Sequence, residues 1–340
     1  MKPISNHSIS RRGFLGRTLG AAGALAIPLP ALARSAAKGK LRIGMISDVH
    51  QDVMHDGIKR LGSFLDAMRV AKPDFIVQLG DFCQPTAANK PFIELWNAYG
   101  GPRYHVIGNH DMDGGFKREQ TVAWYGMPAR YYGFDHGGVR FITLDGNDPG
   151  GTKGGYHRFI AADQKAWLDH ELATTKLPVV VLIHQPLDLP GGVVNQEEIR
   201  ALLEQDRGPD HAGVAAVFAG HCHQDCVHRI GGIAHVQINS ASYVWLPGNA
   251  RRKIYDEASH AKHPYLDHVA PYRDPLWALV TLDLDAGKLS IQGRASAWVG
   301  PDPWERGAPE KDYPRDKNRP AISNWNGALR ESKLLHPDLP

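Results

Sequence analysis

Five short apolar runs in this 340-residue chain each stop at a side chain able to bind a metal, and that recurrence limits the possible folds more than any other feature. Residues 41–46, Leu-Arg-Ile-Gly-Met-Ile, lead into Ser47-Asp48-Val49-His50, and residues 75–79, Phe-Ile-Val-Gln-Leu, into Gly80-Asp81. Residues 103–107 lead into Gly108-Asn109-His110-Asp111, and residues 178–183 into His184. Residues 215–218, Ala-Ala-Val-Phe, lead through Ala219 into Gly220-His221-Cys222-His223. Runs of this length and β-branched content read as buried strands. After the first, Ile58, Leu61, Leu65 and Met68 recur at helical spacing before Pro73 resets the chain. Strand, helix and strand with short connections predict a layered α/β sheet, and such sheets gather functional groups beyond the carboxyl ends of their strands.

The rest of the chain extends this pattern. His136-Gly137-Gly138 and Gly231-Gly232 mark hairpins, residues 277–284 and 289–293 suggest another, and residues 162–173 read as an amphipathic helix with Trp167, Leu168 and Leu172 on one side. From Trp298 onward Pro, Asp, Lys and Asn dominate, which predicts an irregular tail. The expected organisation is a leader at 1–33, a linker at 34–40, a folded domain at 41–296 and the tail at 297–340.

The donors at the strand ends are Asp48, His50, Asp81, Asn109, His184, His221 and His223. These seven exceed what one ion takes, so the reading is two ions about 3.5–4 Å apart sharing a carboxylate. Mixed oxygen and imidazole donors suit Mn, Fe or Zn. If the backbone at 221–223 is extended, His221 and His223 face the ions together and Cys222 faces away, as a small buried residue rather than a ligand. Cys83, Cys222 and Cys226 are too few for a disulfide framework. A pairing of Cys226 with Cys83 or Cys222 stays open.

Charge places the chain away from polyanion binders. There are 39 Lys and Arg against 36 Asp and Glu, but Lys2, Arg11, Arg12 and Arg17 sit in the first 33 residues, which hold no acidic residue. The excess belongs to the leader, and Arg251-Arg252-Lys253 is the one tight basic cluster beyond it, so no nucleic-acid polymer is expected as a partner. The leader joins Ser10-Arg11-Arg12-Gly13-Phe14-Leu15 to a small-residue apolar run ending in Ala31-Leu32-Ala33, and resembles a bacterial twin-arginine export signal. It implies the twin-arginine export machinery as a partner and a periplasmic or secreted protein. The apolar run falls short of about 18 residues and holds Pro28 and Pro30, so no permanent membrane span is expected.

The ordered blocks D-x-H, G-D, G-N-H-D, a lone His after an apolar strand, and G-H-x-H resemble the calcineurin-like metallophosphoesterase family over residues 41–239. The resemblance implies a four-layer β-sandwich of two mixed sheets flanked by helices. It implies one ion on Asp48, His50, Asp81 and His223 and another on Asp81, Asn109, His184 and His221. It also implies in-line attack on phosphorus by a hydroxide between the ions. His110 would stabilise charge or protonate the leaving oxygen, with Asp111 orienting its imidazole. Gln84 stands where purple acid phosphatases carry a tyrosine ligand, which argues against a tyrosinate–iron centre. The Gln164-x-x-Trp167-Leu168 segment resembles small bacterial phosphodiesterases and the ADP-ribose/CDP-alcohol diphosphatase branch. The expected activity is a phosphodiesterase on small or nucleotide-like substrates. Alternatives are a phosphomonoesterase, a nucleotide pyrophosphatase and a non-catalytic metal-binding scaffold. Lys153, His157 and Arg158 are candidates to meet phosphate, and Tyr243 and Trp245 to stack on a base or cover an apolar group; loop charges and core aromatics are the competing reading of the same residues.

Overall fold

A computed structural model describes residues 39–151 and 154–330; the leader and Lys153 lie outside the described residues. The first sheet begins with β1 (Lys40–Ile46), β2 (Phe75–Gln78) and β3 (Arg103–His105), joined by α1 (Gly57–Ala71) and α2 (Lys90–Asn97). After α3 (Arg118–Tyr125), the chain enters the second sheet through β4 (Tyr132–His136) and β5 (Val139–Thr143). It continues through α4 (Ala162–Thr174), β6 (Val179–Leu182), α5 (Gln196–Glu204), β7 (Val214–Ala219), β8 (Cys226–Ile230) and β9 (Ile233–Gln237). A two-stranded ribbon of β10 (Tyr243–Trp245) and β11 (Val269–Pro271) follows, with α6 (Glu257–Lys262) between them. The chain then returns to the first sheet with β12 (Ala278–Asp283), β13 (Lys288–Gln292) and β14 (Trp325–Ala328).

The six-stranded sheets have the orders β14-β13-β12-β1-β2-β3 and β4-β5-β6-β7-β9-β8. Both are mixed: β1, β2 and β3 run parallel with β12 antiparallel to β1, while β5, β6, β7 and β9 run parallel between antiparallel β4 and β8. Side-chain alternation shows why the strands read as unbroken apolar runs. In β6, Val180 and Leu182 enter the core between the sheets, while Val179 and Val181 pack on the outer face beneath α4 and α5. In β2, Phe75 and Val77 point inward and Ile76 outward beneath α1 and α2. Each such fully buried side chain contributes roughly 1.5–3 kcal/mol relative to exposure. Two sheets between two helical layers give the four-layer α/β architecture expected from the sequence.

Some local expectations change. Ile58 is 44% exposed, and Phe64 takes the buried place beside Leu61, Leu65 and Met68 on α1. The segment read as an irregular tail does turn repeatedly, but it is fastened to the domain. Its Trp325–Ala328 pairs with β13 and forms the edge of the first sheet.

Candidate metal centre

The loops leaving β1 and β2 run side by side: the Asp48 amide donates to the Gly80 carbonyl at 3.0 Å, and the His50 amide to the Asp81 carbonyl at 2.9 Å. Asp48, His50, Asp81, His221 and His223 all adopt left-handed backbone, with φ of 52°, 50°, 51°, 68° and 51°. Among described non-glycine residues only Lys72, which caps α1, shares that conformation. The extended backbone expected at 221–223 is therefore corrected. Strand β7 ends at Ala219, and the two histidines are aimed by left-handed turns instead. Each such residue costs on the order of 1 kcal/mol and persists where its surroundings over-determine it. Two glycines leave room for this wrapping. A Cβ on Gly108 would lie 2.1 Å from Asp81 Oδ1, and one on Gly220 would lie 2.0 Å from Ser47 Oγ and 2.5 Å from Asp48 Oδ2.

The donors fall into two groups, Asp48/His50/His223 and Asp81/His184/His221, within each of which the ligand atoms lie inside 4.8 Å of one another. Asp81 Oδ2 faces both, 3.6 Å from His50 Nε2 and 3.1 Å from His184 Nε2. Asp48 Oδ1 lies 3.1 Å from His223 Nε2 and 4.0 Å from His184 Nε2. His223 Nδ1 is 2.7 Å from the Tyr243 carbonyl and His184 Nδ1 is 2.8 Å from the Leu79 carbonyl. Donation from Nδ1–H to these carbonyls leaves Nε2 of both rings as the ligating atom.

Two further features fit an ion pair. Among the described residues, both amide atoms of buried Asn109 lack a hydrogen-bond partner, and His184 Nε2 has none of good geometry although Asp81 Oδ2 lies 3.1 Å away. A buried polar group left this way costs about 1–3 kcal/mol, which metal ligation would relieve. Electrostatics agree. Burial opposes ionisation of Asp48 and Asp81, yet neighbouring histidines hold both carboxyls well below the usual range. Burial lowers His50 to about 4 and His221 to about 3, keeping them neutral. Burial also works against protonation of His184, but Asp81 and Asp48 raise it to about 9. Two ionised carboxylates in a dry site call for positive charge. The donor set thus fits a dinuclear centre.

His110 sits at the rim, its amide donating to Asp81 Oδ1 at 2.8 Å. Asp111 does not orient it. The Asp111 carboxylate accepts the backbone N–H groups of Gly108 (2.7 Å), Phe82 (2.6 Å) and Asp81 (3.2 Å), tying the second and third loops together. The imidazole partner is Asp113, whose Oδ2 lies 2.6 Å from His110 Nδ1. The Tyr156 hydroxyl donates to Asp113 Oδ1 at 2.8 Å and lies 3.1 Å from the same nitrogen. Asp113 was visible in Gly-Asn-His-Asp-Met-Asp as a second carboxylate; nothing in the sequence marks Tyr156.

Two cavities meet at Asp113 and Tyr156. One, of about 560 Å³, is bordered by Gln84, His110, Trp245, Tyr265 and His268; the other, of about 390 Å³, by Asn109, Lys117, Arg118 and His157. Trp245 stacks on His110 with centroids 5.5 Å apart. Tyr243 is fully buried against His50 and belongs to the packing, not the cavity. Arg158 turns to the Gly192 carbonyl at 3.5 Å. Cys222 is half-buried beside the Pro190 carbonyl, outside both donor groups, and all three cysteines are free thiols.

The profile of the calcineurin-like phosphoesterases matches residues 41–225. A protein of Fibrobacter succinogenes named a probable cyclic nucleotide phosphodiesterase is 26% identical over 213 residues, 55% of this chain and 75% of that protein. A dimetal phosphatase from Danio rerio has a similar structure, with a TM-score of 0.53 at 16% identity over 76% of this chain and 98% of its own. GAP50, the anchor in the inner membrane complex of Plasmodium, reaches a TM-score of 0.51 at 16% identity, covering 87% and 91% of the two chains. At these identities both structures speak for the fold alone.

Proposed function

The chain belongs to the calcineurin-like phosphoesterase family, and from that premise we propose that it hydrolyses phosphodiesters of small or nucleotide-like molecules at a dinuclear metal centre. The observation that carries this reading is the pair of donor groups meeting at Asp81, with His110 beside them. Asp48, His50, Asp81 and His223 would hold one ion, and Asp81, Asn109, His184 and His221 the other. Bound ions there supply an activated water and neutralise charge on the phosphoryl oxygens. With Nδ1 tied to Asp113, His110 has Nε2 available to stabilise that charge or to give a proton to the leaving oxygen. The two cavities either side of Asp113 and Tyr156 offer separate places for the two organic groups of a diester. The aromatic Trp245 and Tyr265 in one of them favour a planar group such as a base. The name of the Fibrobacter relative points the same way. Export through the twin-arginine leader to the periplasm or beyond is part of this proposal.

The test compares bis-p-nitrophenyl phosphate with p-nitrophenyl phosphate, using protein loaded with Mn, Fe or Zn and protein treated with chelator. Chelator-sensitive hydrolysis favouring the diester is expected. A preference for the monoester would make the protein a phosphatase. No turnover of mono-, di- or pyrophosphate esters with any of these ions would leave a scaffold.

A further inference from the structure

Asp225 lies two residues beyond His223, at the last position of the family match, and its partners all come from a segment about ninety residues later. Its amide donates to the Lys317 carbonyl at 3.0 Å. Its carboxylate, 9% exposed as a residue, accepts Arg319 Nε at 3.0 Å, the Ser323 amide at 2.9 Å and the Ser323 hydroxyl at 2.7 Å, with Arg319 Nη2 2.7 Å away in the same ion pair and donating to the Ser323 hydroxyl. The same segment grips a second loop. Asn239 Nδ2 donates to the carbonyls of Arg319 (2.8 Å) and Ala321 (3.0 Å). From that loop the Ser240 hydroxyl donates to the Asp48 carbonyl at 2.9 Å and the Ser242 hydroxyl to the Val49 carbonyl at 2.8 Å. Residues 317–323 are therefore linked to the backbone that carries Asp48 and to the loop that carries His223.

We propose that this C-terminal segment is a clamp that positions the Asp48/His50/His223 half of the dinuclear centre, with Asp225, Arg319 and Ser323 as its positioning residues. The inference rests on the dinuclear reading above. Most of the other half takes its placement elsewhere: His184 hydrogen-bonds the Leu79 carbonyl, and Asp81 Oδ1 accepts the His110 amide, while His221 alone shares the clamped loop, its amide donating to Asp48 Oδ2 at 3.1 Å. His223 needs external support because its backbone is left-handed, at φ 51°, in a loop outside any strand. Residues that hold metal ligands in place typically contribute 10- to 100-fold to affinity.

The experiment titrates Mn(II) calorimetrically into metal-free protein, comparing wild type with Arg319→Ala, Arg319→Lys and Ser323→Ala, each checked for folding by circular dichroism. His223→Ala and His184→Ala assign the two binding steps. The expected result is that Arg319→Ala weakens, by at least about tenfold, the step that His223→Ala abolishes, and weakens the other distinctly less. Arg319→Lys, which keeps the charge but loses the fork, should recover part of the loss. If Arg319→Ala does not fold, Ser323→Ala carries the same expectation with a smaller shift. Wild-type affinity at both steps in the folded variants overturns the clamp, and so does equal weakening of both, which would mean general loosening. A wild-type protein that binds no Mn(II), or two normal steps in His223→Ala and His184→Ala, overturns the dinuclear reading and the clamp with it; two normal steps in the Arg319 and Ser323 variants alone overturn only the clamp.

Discussion

The same strands end in two kinds of surroundings. Between the sheets, Met45, Val77, Phe141, Leu182 and Phe218 are wholly buried in an apolar cluster. A few residues further along the chain, the strand ends carry Asp48, Asp81 and His223 in left-handed backbone, beside an Asn109 amide with no partner among the described residues. The first region is stable in itself, and the second is not. The core fixes where the strands stop, and that fixed frame allows the loops to hold charged, strained and unsatisfied groups close together. Stability and chemistry should therefore respond to different substitutions.

The sharpest way to break that division is Asp81→Ala, which removes the carboxylate that lies within 3.6 Å of a histidine from each donor group. Turnover should fall by at least about 10³-fold, since the ions' stabilisation of transition-state charge amounts to several kcal/mol. The metal-free variant should lose less stability than a core truncation, because only the Asp81 pairing with His184 and the His110 amide is lost while the apolar core stays closed. Phe141→Ala should do the reverse, costing about 3–5 kcal/mol in denaturant unfolding while folded molecules keep their kcat. A large stability loss in the first variant, or a large kcat loss per folded molecule in the second, would show that the regions are one.

Gly108→Ala probes the border between them. Its Cβ would meet Asp81 Oδ1 at 2.1 Å, so the carboxylate must shift away from its position between the two groups. Metal affinity should drop roughly 10- to 100-fold, the range seen when the support of a ligand is disturbed, as measured by competition with a chromogenic chelator. The secondary structure should survive.

What the sequence showed and what it hid divide along the same line. Strand ends were legible because short β-branched runs and donor residue types are local properties, so Asp48, Asp81 and His184 stood out together. The left-handed backbone at His221 and His223 was not, because it answers to neighbouring loops rather than to the residues themselves. The partner of His110 was misread for a related reason. Gly-Asn-His-Asp-Met-Asp offers two carboxylates, and only the approach of the β2 loop shows that Asp111 is occupied by three backbone N–H groups while Asp113 is free for the imidazole. Strand β14 was hidden because Trp-Asn-Gly-Ala has little strand propensity, and its pairing comes from the long-range partner β13.

The smallest effect concerns buried histidines that belong to no donor group. His105 faces Gln78 and stacks on Tyr125, and burial, followed by Arg103, depresses it to about 3; burial lowers His235 to about 4. A histidine whose folded pKa is depressed is neutral in both states above its unfolded value of about 6.5. Below that value the unfolded chain takes up protons the folded one refuses, so stability is lost as pH falls, by up to about 1.4 kcal/mol per unit for each group until the folded pKa is reached. At pH 5 His105 alone should account for roughly 2 kcal/mol of the loss relative to pH 7. Urea unfolding of His105→Phe at the two pH values should show a correspondingly shallower decline. Adding Mn(II) should leave that difference between variants unchanged, because no carboxylate or ion answers to His105. If added metal erased it, His105 would have to be counted with the donor loops rather than with the core.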